Sequence, residues 1–282
     1  MTHVKQGDRR RISMSFIRGG HAMKSTTILR STWFAIGAAT VLATSPALAD
    51  DPAKILKAMT DYLTSQKALS ASFDSDIEII TPELQKIQFA SSGQIKLGRP
   101  DKLRVRRTGG YADVELVYDG KTLSLYGNDA KSYMQAELAG TVDQMIGEMQ
   151  ARSGLGMPGT DLLLTNAFEE LTGTATEGKH IGQGVVDGVE CEHLAFRTPD
   201  TDWQIWIETG ARPVPRKYVI TSKTVTGAPQ YTLRTRDWKT DAFAEDTFVF
   251  KPPAGATKID INSVAMADLD ELPPGLPTGA KK

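Results

Sequence analysis

The chain has 282 residues, with 33 Lys/Arg against 34 Asp/Glu and a single cysteine, Cys191. Near-balanced charge with no basic cluster argues against nucleic acid as a partner, and one cysteine excludes an intramolecular disulfide. The length suits one large β-rich domain whose core must hold by burial alone.

The first 49 residues read as a targeting region. Lys24 and Arg30 precede the apolar run Trp33 to Leu42, and Ala47-Leu48-Ala49 offers small residues at the two positions a signal peptidase reads. Cleavage is expected after Ala49. Met23 starts a normal-length signal peptide by itself, which makes residues 1–22 an extension from a mis-assigned start. A twin-arginine signal at Arg10 and Arg11 is the alternative. The apolar run is well short of the roughly 20 residues that span a bilayer, and no cysteine follows the site to carry a lipid, so no transmembrane or lipid anchor is expected in the mature chain. The leader holds seven of the basic residues and one acidic residue, Asp8, which leaves the chain from Asp50 at a net charge of −7. The domain is expected over 50–266, and the Pro/Gly-rich stretch 267–282 reads as a disordered tail.

Asp50, Asp51 and Pro52 form a helix start, and Ile55, Leu56, Met59, Tyr62 and Leu63 recur at helical spacing to about Lys67. The period then switches to two. Phe73, Ile77 and Ile79 alternate with Asp74, Asp76 and Glu78; Ile95 and Leu97 with Gln94 and Lys96; Leu103 and Val105 with Arg104 and Arg106; Leu123 and Leu125 with Ser124 and Tyr126. Asp119-Gly120 and Asp187-Gly188 are two-residue hairpin signals. Val142, Met145, Ile146 and Met149 return to helical spacing, and a second helix is expected from Thr160 or Asp161 through Leu162, Leu163, Leu164 and Phe168. Strands resume near Thr174 and end with Phe248 and Phe250. Within them Asp202 to Ser222 reads as a hairpin, with Trp203, Ile205, Ile207, Tyr218 and Ile220 facing one way and Trp206 the other.

The expected fold is mainly β within the α+β class: a large, curved antiparallel sheet of eleven or twelve strands, covered by an N-terminal helix and two central lid helices. Such a sheet encloses an elongated apolar concavity, suited to acyl chains or another hydrophobic ligand.

SGQIKLGRPDKLRVRR (Ser92 to Arg107), LVYDGKTLSLYG (Leu116 to Gly127) and the helical interruption resemble the outer-membrane lipoprotein carriers and receptors of the LolA/LolB type, whose fold is an incomplete barrel lidded by helices. VECEHLAFR, DWQIWIE and PVPRKYVIT are similar to a family of predicted periplasmic proteins of unknown function within that superfamily. The resemblance implies a carrier of apolar ligands with no cofactor.

The candidate ligand-binding residues are Leu103, Val105, Leu123 and Leu125 on the sheet, Met145, Ile146, Met149, Leu162 and Leu163 on the lids, and Trp203 on the hairpin. Met145, Met149 and Met157 suit a binding role because thioether side chains adapt to variable apolar shapes, though they equally fill a helix–sheet interface. Gly154, Gly156 and Gly159 offer hinge positions between the lid helices. Cys191 and His193 share a strand face that a nucleophile–base or metal pair would use, but a lone cysteine on a strand is usually a small buried hydrophobe. Asp74, Asp76 and Glu78 alternate with apolar residues as a solvated face does, unlike a calcium loop. Two readings follow, neither enzymatic: a periplasmic carrier or chaperone for lipid, acyl chains or lipoprotein, or a module that contacts an envelope protein or senses envelope stress without a small ligand.

Overall fold

Asp51 caps the first helix, α1 (Pro52–Ser65): its Oδ1 accepts the backbone N–H of Ala53 at 3.0 Å, and Pro52 takes the first helical position, where its missing N–H costs nothing. The computed structural model describes residues 51–153 and 157–260. The expected leader and cleavage site, Gly154, Gly156 and the tail lie outside the described residues. Leu56, Met59 and Leu63 are fully buried along one stripe of α1, each contributing about 1.5–3 kcal/mol by leaving water. The helix stops two residues short of Lys67 because Gln66 turns to extended backbone and feeds the first strand.

Six strands follow in hairpin succession: β1 (Ala68–Ile80), β2 (Lys86–Gly98), β3 (Lys102–Gly109), β4 (Asp113–Tyr118), β5 (Thr122–Gly127) and β6 (Ser132–Glu137). After the helices come β7 (Glu177–Val186), β8 (Val189–Arg197), β9 (Thr201–Glu208), β10 (Pro215–Ser222), β11 (Gln230–Lys239) and the two-residue β12 (Thr257–Lys258). They form one twelve-stranded sheet, open at both edges, in the order β12-β6-β5-β4-β3-β2-β1-β11-β10-β9-β8-β7. The two halves of the chain join where β1 pairs with β11.

Several expectations change. The sheet is antiparallel except at one edge, where β12 runs parallel to β6. Strand β6 was not legible, since SYMQAE carries one large aliphatic residue, Met134, between polar neighbours. Phe248 and Phe250 lie in no strand: the N–H groups of Thr247 and Val249 close local turns onto Ala244 and Asp246. Phe248 is buried against the backbone of Gly98 and packs edge-on to Phe243, while Phe250 sits 5.4 Å from Tyr133, so this segment covers the outer face of the first half-sheet. Asp187-Gly188 makes the expected two-residue turn, with φ of 50° and 81°. Asp119-Gly120 belongs to a longer connection, held by Asp119 Oδ1 accepting from the N–H groups of Lys121 and Thr122.

Helix α2 (Val142–Ser153) is started by a reciprocal cap: Gln144 N–H donates to Thr141 Oγ1, and Thr141 N–H donates to Gln144 Oε1 at 2.9 Å. The expected second lid helix is split into a 3-10 turn (Thr160–Leu163) and α3 (Ala167–Thr172), with Leu164 extended between them. The break has a tertiary cause, because both the N–H and the hydroxyl of Thr165 donate to Asp143 Oδ2 on α2.

Candidate functional site

Register decides which residues share a face, since directly opposed residues in an antiparallel pair point the same way. Leu69, Leu97, Leu103, Tyr118 and Leu123 are opposed in turn across β1 to β5, and Ile77, Tyr231, Ile220, Trp203 and Phe196 across β1, β11, β10, β9 and β8. A largely apolar face therefore runs through the sheet and includes Phe73, Val105 and Leu125, as the alternation predicts, interrupted where Ser75, Ser91, Arg107 and Thr235 are buried on the same side. Phe73 fits only because its opposite residue is Gly93: a Cβ there would stand 2.3 Å from the Phe73 ring and 2.3 Å from the Arg106 carbonyl oxygen.

The helices lie on this face. Leu103, Met145, Ile146, Leu162 and Trp203 are buried in the shared core, with Val105, Leu123, Met149 and Leu163 half-buried against it. Leu125 is buried on the same face beside Leu116 and Met134, outside that cluster. Nine of the ten candidate residues thus meet in one packed cluster, in which Met145 and Ile146 act as core side chains. Trp203 stacks on Phe196 with ring centroids 4.2 Å apart and meets Tyr218 edge-on.

A polar pin that the sequence did not reveal joins lid to sheet. Tyr218 donates its hydroxyl to Asp161 Oδ2 at 2.9 Å, and Leu162 N–H donates to Asp161 Oδ1 at 3.0 Å. Burial raises the Asp161 carboxyl above its ordinary range and raises the Tyr218 phenol well above its own. Gly159 begins this turn at φ 86°, where a Cβ would press on Leu233 at 3.1 Å. Close packing onto the sheet and a left-handed backbone, as well as any hinge, account for this glycine.

The cover does not extend over the whole face. Phe73 and Ile77 are half-buried and stand outside the core cluster, as does Phe89 opposite Ile77. Tyr111 packs edge-on to Phe89 at 5.4 Å and remains 59% exposed. The concave face thus passes from a lidded end around Leu97 and Leu103 to a half-buried aromatic stretch, beyond which Ile79 is buried again.

The chemical candidates are occupied otherwise. Cys191 Sγ bonds the Val189 carbonyl, and burial pushes its thiol up, opposite to what a nucleophile needs. His193 bonds Gln204 at 3.0 Å and stacks on Trp206 at 4.0 Å, on the outer face, where Lys217 covers the other side of the indole. His180 bonds Glu192 at 2.7 Å. Asp74 pairs with Arg236 and Ser92, and Glu78 with Lys86 and the N–H of Gln230. Among the described residues, no group of three or more His, Cys, Asp or Glu is placed to hold a metal ion. A cleft of about 610 Å³ lies elsewhere, among the outward-facing Asp74, Glu208, Arg216, Arg234 and Arg236. Tyr62, Leu69, Val214 and Trp238 share its walls with these charges, and none of the candidate residues lines it.

An open sheet with one largely apolar face, partly lidded by helices, defines the class: an incomplete β-barrel. The chain belongs to the family described as "Predicted periplasmic protein (DUF2092)", which matches residues 52–262. No curated protein matches it. Among solved structures it is similar to an uncharacterized conserved protein from Thermus thermophilus, at 11% identity and a TM-score of 0.44, covering 73% of this chain and 96% of that one. It is also similar to the Mycobacterium tuberculosis lipoprotein LppX, at 12% identity and a TM-score of 0.42, covering 68% and 96%. A LolA superfamily protein from Nitrosomonas europaea is similar at 10% identity and a TM-score of 0.32, covering 71% and 97%.

Proposed function

We propose that this protein binds a hydrophobic ligand, a lipid or the acyl chains of a lipoprotein, against the concave face of its half-barrel, and serves as a non-enzymatic periplasmic carrier or chaperone. The observation that carries this reading is the mismatch between the apolar face and its cover. Phe73, Ile77 and Phe89 continue the face beyond the helices, where an aromatic surface gains by contact with another apolar body. Val105, one row nearer this stretch than the sealed Leu103, is only half-buried, as are Leu123, Met149 and Leu163 against the core, and these are the positions where a ligand would find room.

Export to the periplasm with cleavage after Ala49 belongs to the same proposal, and the family description supports the compartment. N-terminal sequencing of fractionated protein is expected to start at Asp50; an intact Met23 start in the membrane pellet overturns the location. For the ligand, native mass spectrometry of protein purified from its own periplasm is expected to show a co-purifying lipid mass. A folded protein that carries no lipid and binds no fluorescent acyl probe would refute the carrier and favour a module that contacts an envelope protein.

A further inference from the structure

The β10–β11 ladder runs only from Lys217 opposite Arg234 to Thr221 opposite Gln230, although β11 continues to Lys239. Below Lys217 the two strands part, and the carbonyl of Pro215 accepts side-chain donors, the Thr235 hydroxyl and, at 3.2 Å, the Trp238 indole. The cleft of about 610 Å³ is lined from both flanks of this split, by Val214 and Arg216 on one and Arg234, Arg236 and Trp238 on the other. Leu69 and Val214 in its walls belong to the core cluster, and Tyr62 and Trp238 pack against it. Trp238 spends its N–H on Pro215 and Thr235, so the wall it forms is apolar ring. The volume falls within the roughly 300–1,000 Å³ of small-molecule sites.

The charges on the walls do not all find partners. Arg216 bonds Glu208 at 2.6 Å, and Arg236 bonds Asp74 with Asp237 at 3.9 Å. Neither Arg212 nor Arg234, the other two arginines of the cleft, has a hydrogen bond or ion pair among the described residues. Arg234 stands directly opposite Lys217, and like charges so opposed destabilise a sheet. Burial, and then Arg234, hold the Lys217 ammonium below its ordinary range, where it lies 4.7 Å from the Trp206 ring centroid. The remaining acid of the walls, Asp187, acts on Lys217 and Arg236 without a hydrogen bond to either. An oxyanion on Arg234 would accept its parallel N–H bonds and relieve the opposed cations.

We infer that this cleft is a binding site for a small anionic amphiphile, whose phosphate or carboxylate seats on Arg234, with Arg212 as the second cation, while its short apolar chain lies against Tyr62 and Trp238. The site opens on the outer face and needs no room in the packed core, so it stands apart from the concave-face reading and does not depend on it.

The test is calorimetric titration of the protein with octyl phosphate, 1-octanol and inorganic phosphate at pH 8. Octyl phosphate is expected to bind about tenfold or more tighter than either of the others, since it alone combines charge-assisted hydrogen bonds with apolar contact. Arg234→Gln should weaken octyl phosphate about tenfold and leave octanol unchanged, and the double variant Arg212→Gln/Arg234→Gln should bring octyl phosphate to the level of octanol. Arg106→Gln, an exposed arginine of the same outer face already paired with Asp113, should leave binding as it was. In wild-type protein the Arg234 Nε–H and Trp238 indole N–H resonances should shift with octyl phosphate, a reading independent of how well a variant folds. Inorganic phosphate binding as tightly would mean a free-anion site and overturn the amphiphile; octanol binding as tightly overturns the anion seat. An equal loss in Arg106→Gln shows unspecific attraction to the outer face and overturns the site. Binding that leaves both resonances unmoved overturns the cleft and leaves the concave-face carrier standing. No binding of octyl phosphate overturns this inference alone.

Discussion

Tyr218 on β10 and Asp161 on the 3-10 turn are 57 residues apart in sequence and share one hydrogen bond of 2.9 Å inside the helix–sheet interface. Removing the hydroxyl with Tyr218→Phe leaves a buried carboxylate oxygen short of its donor, and stability should fall by about 1–3 kcal/mol in urea denaturation. Amide exchange over Thr160–Leu163 should accelerate more than in α1, since the pin holds that turn to the sheet.

The same pair sets a pH dependence. Burial, the largest influence, raises the Asp161 carboxyl, so the native state binds this proton more tightly than the unfolded chain does. The stability that Asp161 contributes is full below the ordinary aspartate range and is lost as pH rises through the raised native value. Subtracting the denaturation-versus-pH curve of Asp161→Asn from that of the wild type should isolate a fall in this direction; a rise would contradict the burial of the carboxyl.

Gly93 makes room for Phe73, and Gly93→Ala puts a methyl group against both an aromatic ring and a backbone carbonyl, of which the second cannot rotate away. Overpacking of this kind should cost about 1–3 kcal/mol in chemical denaturation. The double variant with Phe73→Ala should recover only the part due to the ring.

Met149 is half-buried at the border of the core. Met149→Glu should fold, at a cost of about 1–3 kcal/mol, and should abolish binding of a fluorescent acyl probe. Global unfolding of this variant by circular dichroism would show instead that Met149 is sealed core.

On the outer face Trp206 shields His193, whose titration is lowered first by burial. Trp206→Ala should let the His193 midpoint, followed by NMR, move up toward the ordinary value of 6.5. It should destabilise the protein by about 2 kcal/mol, less than the loss of a fully buried tryptophan.

Much of this architecture is written in local periodicity. The alternation around Trp203, Ile205 and Ile207 and the helical stripe Leu56, Met59, Leu63 state which side chains go inward, because a strand or helix exposes its period to hydrophobic selection one residue at a time. The shared face of Leu103, Val105, Leu123 and Leu125 was legible for the same reason, as were α2 and the Asp187-Gly188 turn. Tertiary structure decided what no local window contains. It split the second lid helix by drawing Thr165 to Asp143, laid Phe248 and Phe250 over the outer face, and set β12 parallel to β6. It also brought Asp161 to Tyr218. Polar side chains carry no period, and their partners stand tens of residues away, so their roles emerge only when register and helix packing place them together.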